Sequence, residues 1–222
     1  NYYKVFLVYT GGDQPGLGVV LTPKHIADSF CELAELNVNS VVLDTCTGTG
    51  AFLISAMKHM IEKADGDEDK IEHIKMKQLI GVEQNPQMFT LACSNMILRH
   101  DGKSNMINGS CFSDEVHKKI KELEPTVCLI NPPYSQSDND ESELSFINNA
   151  LKLLKQNGKL VAIVPLSSAI EDKDLKNSQR RDILKSNTLE AVFTMPGELF
   201  YPVGTHTCVM VFTAKQPHGT PE

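Results

Sequence analysis

The chain has 222 residues, which suits one domain or one domain with small additions, and its 41% hydrophobic content is enough to bury a full core and excludes a disordered chain. No apolar run reaches the length needed to span a bilayer, and no signal-peptide pattern opens the chain. The 21 basic and 28 acidic residues give a net charge of −7, which speaks against a nucleic-acid partner, because such binding rests largely on phosphate neutralisation by Lys and Arg.

Residues 1–23 mix aromatics with Gly and Pro and form a lead-in without regular pattern. Thr22-Pro23 fits an N-cap followed by proline at the first helical position, opening a helix that runs to about Leu36. Residues 40–44 are a short apolar run, a buried strand, and 45–50 a loop of small residues. The spacing of Phe52, Ile54, Met57, Met60 and Ile61 predicts a helix over 51–63, and 65–69 reads as an acidic surface loop. A strand over 79–83, a helix over 86–99 and a short strand over 105–108 follow. Residues 127–130 make a fourth strand that runs into Asn131-Pro132-Pro133-Tyr134. Next come a helix over 143–154, a strand over 159–165 and a helix over 175–186, and β-branched-rich runs at 189–194 and 208–213 close the chain.

Strands alternating with helices imply a doubly wound, largely parallel α/β sheet. Ligands bind such a sheet beyond the carboxyl ends of its strands. Asp44, Glu83, Ser110 and Asn131 all fall at or just after strand ends, so four polar side chains converge on one rim. The six cysteines, Cys31, Cys46, Cys93, Cys111, Cys128 and Cys208, form no C-x-x-C pair and have no histidine at metal spacing. They read as reduced thiols of a cytosolic protein, with no zinc site and no disulfide framework.

Asp44 to Phe52 (Asp-Thr-Cys-Thr-Gly-Thr-Gly-Ala-Phe) follows a strand and opens a helix. Gly48 and Gly50 let the backbone approach a ligand closely, and the helix amides favour a carboxylate. Leu53 stands at the third small position, so the dinucleotide pattern G-x-G-x-x-G fails, and the loop alone reads equally as a tight turn. Glu83, at the end of the next strand, is placed to accept both hydroxyls of a ribose; loop and acid together point to an adenosyl-ribose site.

The sharpest feature is Asn131-Pro132-Pro133-Tyr134. Its bland reading is a rigid exit from a strand, since two prolines enforce an extended backbone. Its functional reading is the activation of an exocyclic amine, whose lone pair is delocalised into the ring of adenine or cytosine. Acceptors at the Asn131 side-chain oxygen and the Pro132 carbonyl favour a more tetrahedral nitrogen directed at a methyl donor, and the prolines hold that carbonyl in place. Tyr134 would stack on a base flipped out of a duplex.

The segments Asp44 to Phe52, Gly81-Val82-Glu83-Gln84-Asn85-Pro86 and Asn131 to Tyr134 resemble those of amino-methylating DNA methyltransferases, in the order of their gamma arrangement. More narrowly, the chain is similar to the modification subunit of type I restriction–modification systems, N6-adenine DNA methyltransferases. Val20-Leu21-Thr22-Pro23, Leu91-Ala92, Asn95 to Leu98, Met195 to Phe200 and Gly204 to Thr207 carry that narrower likeness, which covers nearly all of 17–214. The resemblance implies a doubly wound, Rossmann-like methyltransferase sheet, mostly parallel with an antiparallel C-terminal strand. It implies S-adenosyl-L-methionine as cofactor: Thr22, Pro23, Asp44, Thr47, Gly48, Thr49 and Gly50 at its methionine end, Glu83 at the ribose, and Ser110 at the adenine amine. It implies a division into a lead-in over 1–23, a catalytic domain over 24–214 and a polar tail over 215–222. The start at Asn1 without methionine and that tail suggest a domain cut from a longer protein. The implied partners are duplex DNA with a flipped adenine, a specificity subunit and a restriction subunit. Base selection by another subunit would reconcile the acidic charge with DNA.

Three positions depart from the family pattern. Thr45 stands where proline is usual, Thr47 where a smaller residue is common, and Ser110 where an aspartate usually accepts from the cofactor's adenine amine. A serine oxygen accepts more weakly than a carboxylate, so weakened cofactor binding is expected. The same tetrapeptide also serves methylation of RNA bases and of protein glutamine, and a catalytically weak scaffold for a specificity subunit is a third reading. Phe200 is assigned to core packing over stacking, His206 to loop hydrogen bonding, and Lys118-Lys119 and Arg180-Arg181 to solvated helix faces.

Overall fold

The computed structural model describes residues 22–99, 105–135, 137, 140–196 and 205–219. In chain order the elements are α1 (Lys24–Leu33), β1 (Val42–Asp44), α2 (Ala51–Lys63), α3 (Glu68–Lys77), β2 (Leu79–Glu83), α4 (Pro86–Ile97), β3 (Asn105–Asn108) and α5 (Asp114–Glu122). There follow β4 (Val127–Ile130), α6 (Glu143–Leu153), β5 (Lys159–Pro165), α7 (Leu166–Ile170), α8 (Asp174–Ser186), β6 (Thr188–Thr194) and β7 (Thr207–Thr213). The strands form one sheet in the order β3-β2-β1-β4-β5-β7-β6. Every pairing from β3 to β5 is parallel, and β7 runs antiparallel to both of its neighbours.

Period-two alternation along the buried strands builds two apolar layers. Val42, Leu79, Leu129, Val161, Ile163, Val209 and Val211 face a core shared with α1, α2 and α3. Leu43, Ile80, Cys128, Ile130, Leu160, Ala162, Met210 and Phe212 face the other, shared with α5, α6 and α8. The sheet is therefore covered on both sides, as a parallel sheet requires.

Three helices, α3, α5 and the short α7, fall outside the elements read from the sequence, and α3 takes in the end of the acidic stretch over 65–69. In α3 only Ile74 is buried; the helix opens on Asp67, whose side chain accepts from the Lys70 amide, with acids in its first turn and Lys75 and Lys77 in its last. This charge arrangement complements the helix dipole where an apolar stripe is missing. In α5 the cap is Ser113, and Val116 and Ile120, one turn apart, reach the core. α1 begins later than its sequence suggests. Its N-cap is Pro23 at ψ 144, whose carbonyl accepts from Ile26 and Ala27 at 3.0 and 3.1 Å, so Thr22 lies outside the helix and is not its cap. The helix stops at Leu33 because Glu35 takes a left-handed φ of 54. Residues 215–219 are tied to the start of β6: the Thr188 hydroxyl donates to the Gln216 carbonyl at 2.8 Å, and the Leu189 amide to His218 Nδ1 at 3.2 Å. Among the described residues no helix is long and apolar enough to cross a membrane.

Gly158, just ahead of β5, marks a close approach of backbones. A Cβ there would sit 2.9 Å from the Thr126 carbonyl oxygen and 3.0 Å from that of Lys155, two main-chain atoms with no freedom to rotate away. Gly158→Ala is expected to lower the unfolding free energy by roughly 1–3 kcal/mol, the usual cost of overpacking, seen as a lower urea midpoint at unchanged m-value. An unchanged midpoint would show that the β4–β5 junction is looser than this packing implies.

Candidate active site

β1 lies in the middle of the sheet, with β2 on one side and β4 on the other. The chain leaving β1 crosses to α2 on one face, and the chain leaving β4 crosses to α6 on the other. Their loops part, and the cleft between them opens beyond the carboxyl ends of the strands. A cavity there is lined by Thr45, Cys46 and Gly48 after β1, by Glu83, Gln84, Asn85 and Met88 after β2, and by Gly109 and Cys111 after β3. Asn131, Pro132, Pro133, Tyr134 and Phe146 close its far wall.

The loop after β1 is held from several sides. Gly48 and Gly50 take left-handed φ values of 54 and 84, which strain any residue with a Cβ. The Thr47 amide donates to the Val82 carbonyl at 3.0 Å, the Thr47 hydroxyl to the Asp44 carbonyl at 3.0 Å, and the Gly50 amide to the Thr47 carbonyl at 2.8 Å. Asn95 of α4 donates to the Thr49 carbonyl at 2.9 Å. Glu83 is a structural partner of this loop and no free surface charge: Gly48 and Asn85 donate their amides to its two carboxylate oxygens, each at 2.8 Å. Each oxygen keeps a further lone pair for a ligand hydroxyl.

Asp44 is 1% exposed, and its carboxylate accepts from the Cys46 amide at 3.0 Å. Burial pushes its pKa up from 3.8 to about 8, against the pull of the Cys46 amide and with a further push from the Glu83 carboxylate. A carboxyl in that state is suited to a cationic ligand group, whose arrival would favour the charged form. The Cys46 thiol is held neutral by its hydrogen bond to Cys111 and by burial.

On the opposite wall, the Asn131 side chain donates from Nδ2 to the Thr22 hydroxyl at 3.3 Å. Its Oδ1 is buried and has no hydrogen-bond partner among the described residues. An orphaned buried acceptor is costly unless a ligand donor meets it. Burial raises the Tyr134 phenol above its ordinary pKa, with the Glu143 carboxylate adding to the effect.

Glu143, absent from the sequence-based set, is 2% exposed. Its Oε1 accepts from the Ser135 amide at 2.8 Å and the Ser135 hydroxyl at 3.1 Å, and its Oε2 from the Ser168 hydroxyl at 3.2 Å. The first residue of α6 thus clamps the exit of the tetrapeptide to α7. Eight residues separate Glu143 from Ser135, and no periodicity signals that contact.

Of the residues singled out from sequence, Gly48, Glu83 and Asn131 to Tyr134 share the cavity wall. Asp44, Thr47, Thr49 and Gly50 build the loop behind it, and Thr22 reaches it through Asn131. Pro23 acts as the α1 cap. Ser110 sits between two cavity residues, Gly109 and Cys111, while its own hydroxyl accepts from the Phe112 amide at 3.3 Å. Arg180 is no solvated helix face: it donates to the Ser168 and Glu171 carbonyls at 3.0 and 2.6 Å and to Asn177 Oδ1 at 2.5 Å, locking α7 to α8. Lys119 pairs with Glu115 on the exposed side of α5. His206 is exposed and gives its carbonyl to the Leu166 amide at 2.8 Å. Phe200 lies outside the described residues.

A family model described as N-6 DNA methylase matches residues 2–221. The type II restriction enzyme and methyltransferase RM.BcgI of Heyndrickxia coagulans is 42% identical over 98% of this chain, which spans 34% of that protein. The type I restriction enzyme EcoKI methylase subunit of Escherichia coli strain K12 is 24% identical over 89% of the chain, which spans 40% of it. The crystal structure of the EcoKI M protein superimposes with a TM-score of 0.78 at 20% identity, covering 95% of this chain and 47% of that one, a likeness of fold. The chain therefore spans about a third to two fifths of the curated relatives it matches.

The Asp44 carboxyl makes stability depend on pH. The folded chain holds a proton up to about 8 that the unfolded chain releases near 3.8, so this contribution is fully present below about 4 and is lost as pH rises through 8. Asp44→Asn is expected to flatten that part of the profile, and its urea midpoint should gain on the wild type steadily from pH 5 to pH 8. Parallel profiles for the two proteins would contradict the assignment.

Proposed function

This chain belongs to the N-6 DNA methylase family, and from that premise we propose that it transfers a methyl group from S-adenosyl-L-methionine to the N6 amine of adenine in DNA, as the catalytic domain, residues 24–214, of a restriction–modification methylase. The single observation that carries this reading is the buried, unpartnered Oδ1 of Asn131 in the wall of the cavity that Gly48 and Glu83 also line. The donor set fits the cofactor: two left-handed glycines, a carboxylate with free lone pairs, and a buried carboxyl in want of a cation. When bound, the cofactor supplies an electrophilic methyl group on a sulfonium.

The chain's own residues do the rest. Glu83 accepts the ribose hydroxyls, the Thr47–Gly50 loop holds the methionine end with Asp44 beneath it, and Ser110 accepts at the adenine end. Asn131 Oδ1 and the Pro132 carbonyl accept the two amine hydrogens of the target base, drawing its lone pair out of the ring plane towards the methyl donor. Pro132 and Pro133 fix that geometry before the base arrives, and Tyr134 stacks on the flipped base. Glu143 supports the loop from behind through Ser135. A net charge of −7 leaves phosphate contact and base selection to other parts of the system, a specificity subunit beside a restriction subunit, acting in the cytoplasm, where the thiols stay reduced.

Asn131→Ala is expected to cut transfer of tritiated methyl into DNA by about 100-fold or more, because one of two acceptors is lost. Calorimetric affinity for S-adenosylmethionine should change by no more than about threefold, under 1 kcal/mol. Retained transfer in the variant would remove Asn131 from the mechanism.

A further inference from the structure

We propose that Thr22 is a positioning residue for the catalytic amide: its hydroxyl anchors the Nδ2 end of Asn131 and so fixes the place and plane from which Oδ1 faces the substrate. The inference rests on the proposed role of Asn131 and gives Thr22 a task beyond contact with the cofactor.

An asparagine amide has two ends of nearly equal shape and opposite hydrogen-bonding sense. With Oδ1 towards the substrate, the amide accepts from an amine; turned over, Nδ2 would meet that amine donor to donor. The substrate amine selects the accepting end, since a threonine hydroxyl can bond either one, but a second contact has to hold the amide plane still for it. The contact present is the 3.3 Å hydrogen bond from Asn131 Nδ2 to Thr22 Oγ1, across 109 residues of sequence. It consumes the donor end and leaves Oδ1 buried and unpartnered among the described residues.

Thr22 is placed for this by rigid neighbours. Pro23 confines the residue before it to extended backbone, so Thr22 cannot join α1, and its hydroxyl does not cap the helix. α1 in turn is fixed to α2, the helix that opens on Gly50: the Ser55 hydroxyl donates to Asp28 at 2.8 Å, and the rings of Phe30 and Phe52 stack at 4.7 Å. The cofactor loop and the amide-setting hydroxyl therefore belong to one packed unit.

The test compares Thr22→Val, which keeps the volume and loses the acceptor, with Thr22→Ser, which keeps it. For methyl transfer to unmethylated mixed-sequence DNA with the specificity subunit present, Thr22→Val should lower kcat by about 10- to 100-fold, the scale of a misplaced catalytic group, and Thr22→Ser should recover most of it. The kcat is read at saturating S-adenosylmethionine, so that any rise in cofactor KM from the place of Thr22 at the methionine end is kept apart from the effect on the amide. A second readout needs no turnover: in the free protein, the Asn131 side-chain NH2 resonance should shift upfield in Thr22→Val and hold its place in Thr22→Ser. Unchanged kcat with an unchanged resonance, or a loss carried wholly by the cofactor KM, would overturn the inference. A wild-type protein that moves no methyl to DNA even with its specificity subunit added would overturn the proposed function instead, while the resonance comparison still judges the Thr22–Asn131 contact.

Discussion

Parallel neighbours that hand their chains to opposite faces of the sheet leave a gap between their loops, and this site is built in the gap between β1 and β4. Register fixes its contents. Val42 and Leu43 pair with Val127 and Cys128, so Asp44 falls opposite Leu129 and β1 stops one residue before β4, with the glycine loop on one side and Asn131 on the other. β2, paired on the far side of β1, puts Gly81 opposite Asp44 and runs two residues further, to Glu83. A wall carrying Glu83 and the glycine loop thus faces a wall carrying Asn131, because β1 stops short between two strands that run past it.

Around that gap the polar groups are arranged by burial as much as by contact. The Asp44 carboxyl is raised to about 8 by burial, and the thiols of Cys46 and Cys128 are pushed up and stay neutral. A low-dielectric floor of this kind strengthens each hydrogen bond that a ligand makes above it and penalises each one left unmade. Behind the tetrapeptide, Glu143 joins Ser135 to Ser168, and Arg180 ties Ser168 to α8. The rigid dipeptide Pro132-Pro133 is therefore anchored at both ends, by β4 before it and by a buried carboxylate after it.

Much of this was legible in the chain because it is local. Buried strands announce themselves as apolar runs, and the glycine loop and Asn131 to Tyr134 each lie within a few residues of a strand end. α3 escaped notice because a polar helix held by its Asp67 cap and end charges has no apolar period to read. Glu143 reads only as the start of a helix and Arg180 as part of a solvated helix face, since the partners of each belong to other elements. Thr22 misled most: Thr-Pro before a helix is a good capping signal, yet Pro23 took the cap and freed the hydroxyl for Asn131, a partner local pattern cannot show.

Product analysis decides whether the cavity between β1 and β4 methylates the exocyclic amine of adenine. DNA incubated with the protein, its specificity subunit and S-adenosylmethionine would be digested to nucleosides and separated by mass spectrometry. The account predicts N6-methyldeoxyadenosine as the methylated nucleoside. A methyl group on C5 of cytosine, which has no amine for Asn131 to accept, or label found in protein with none in DNA, would contradict it.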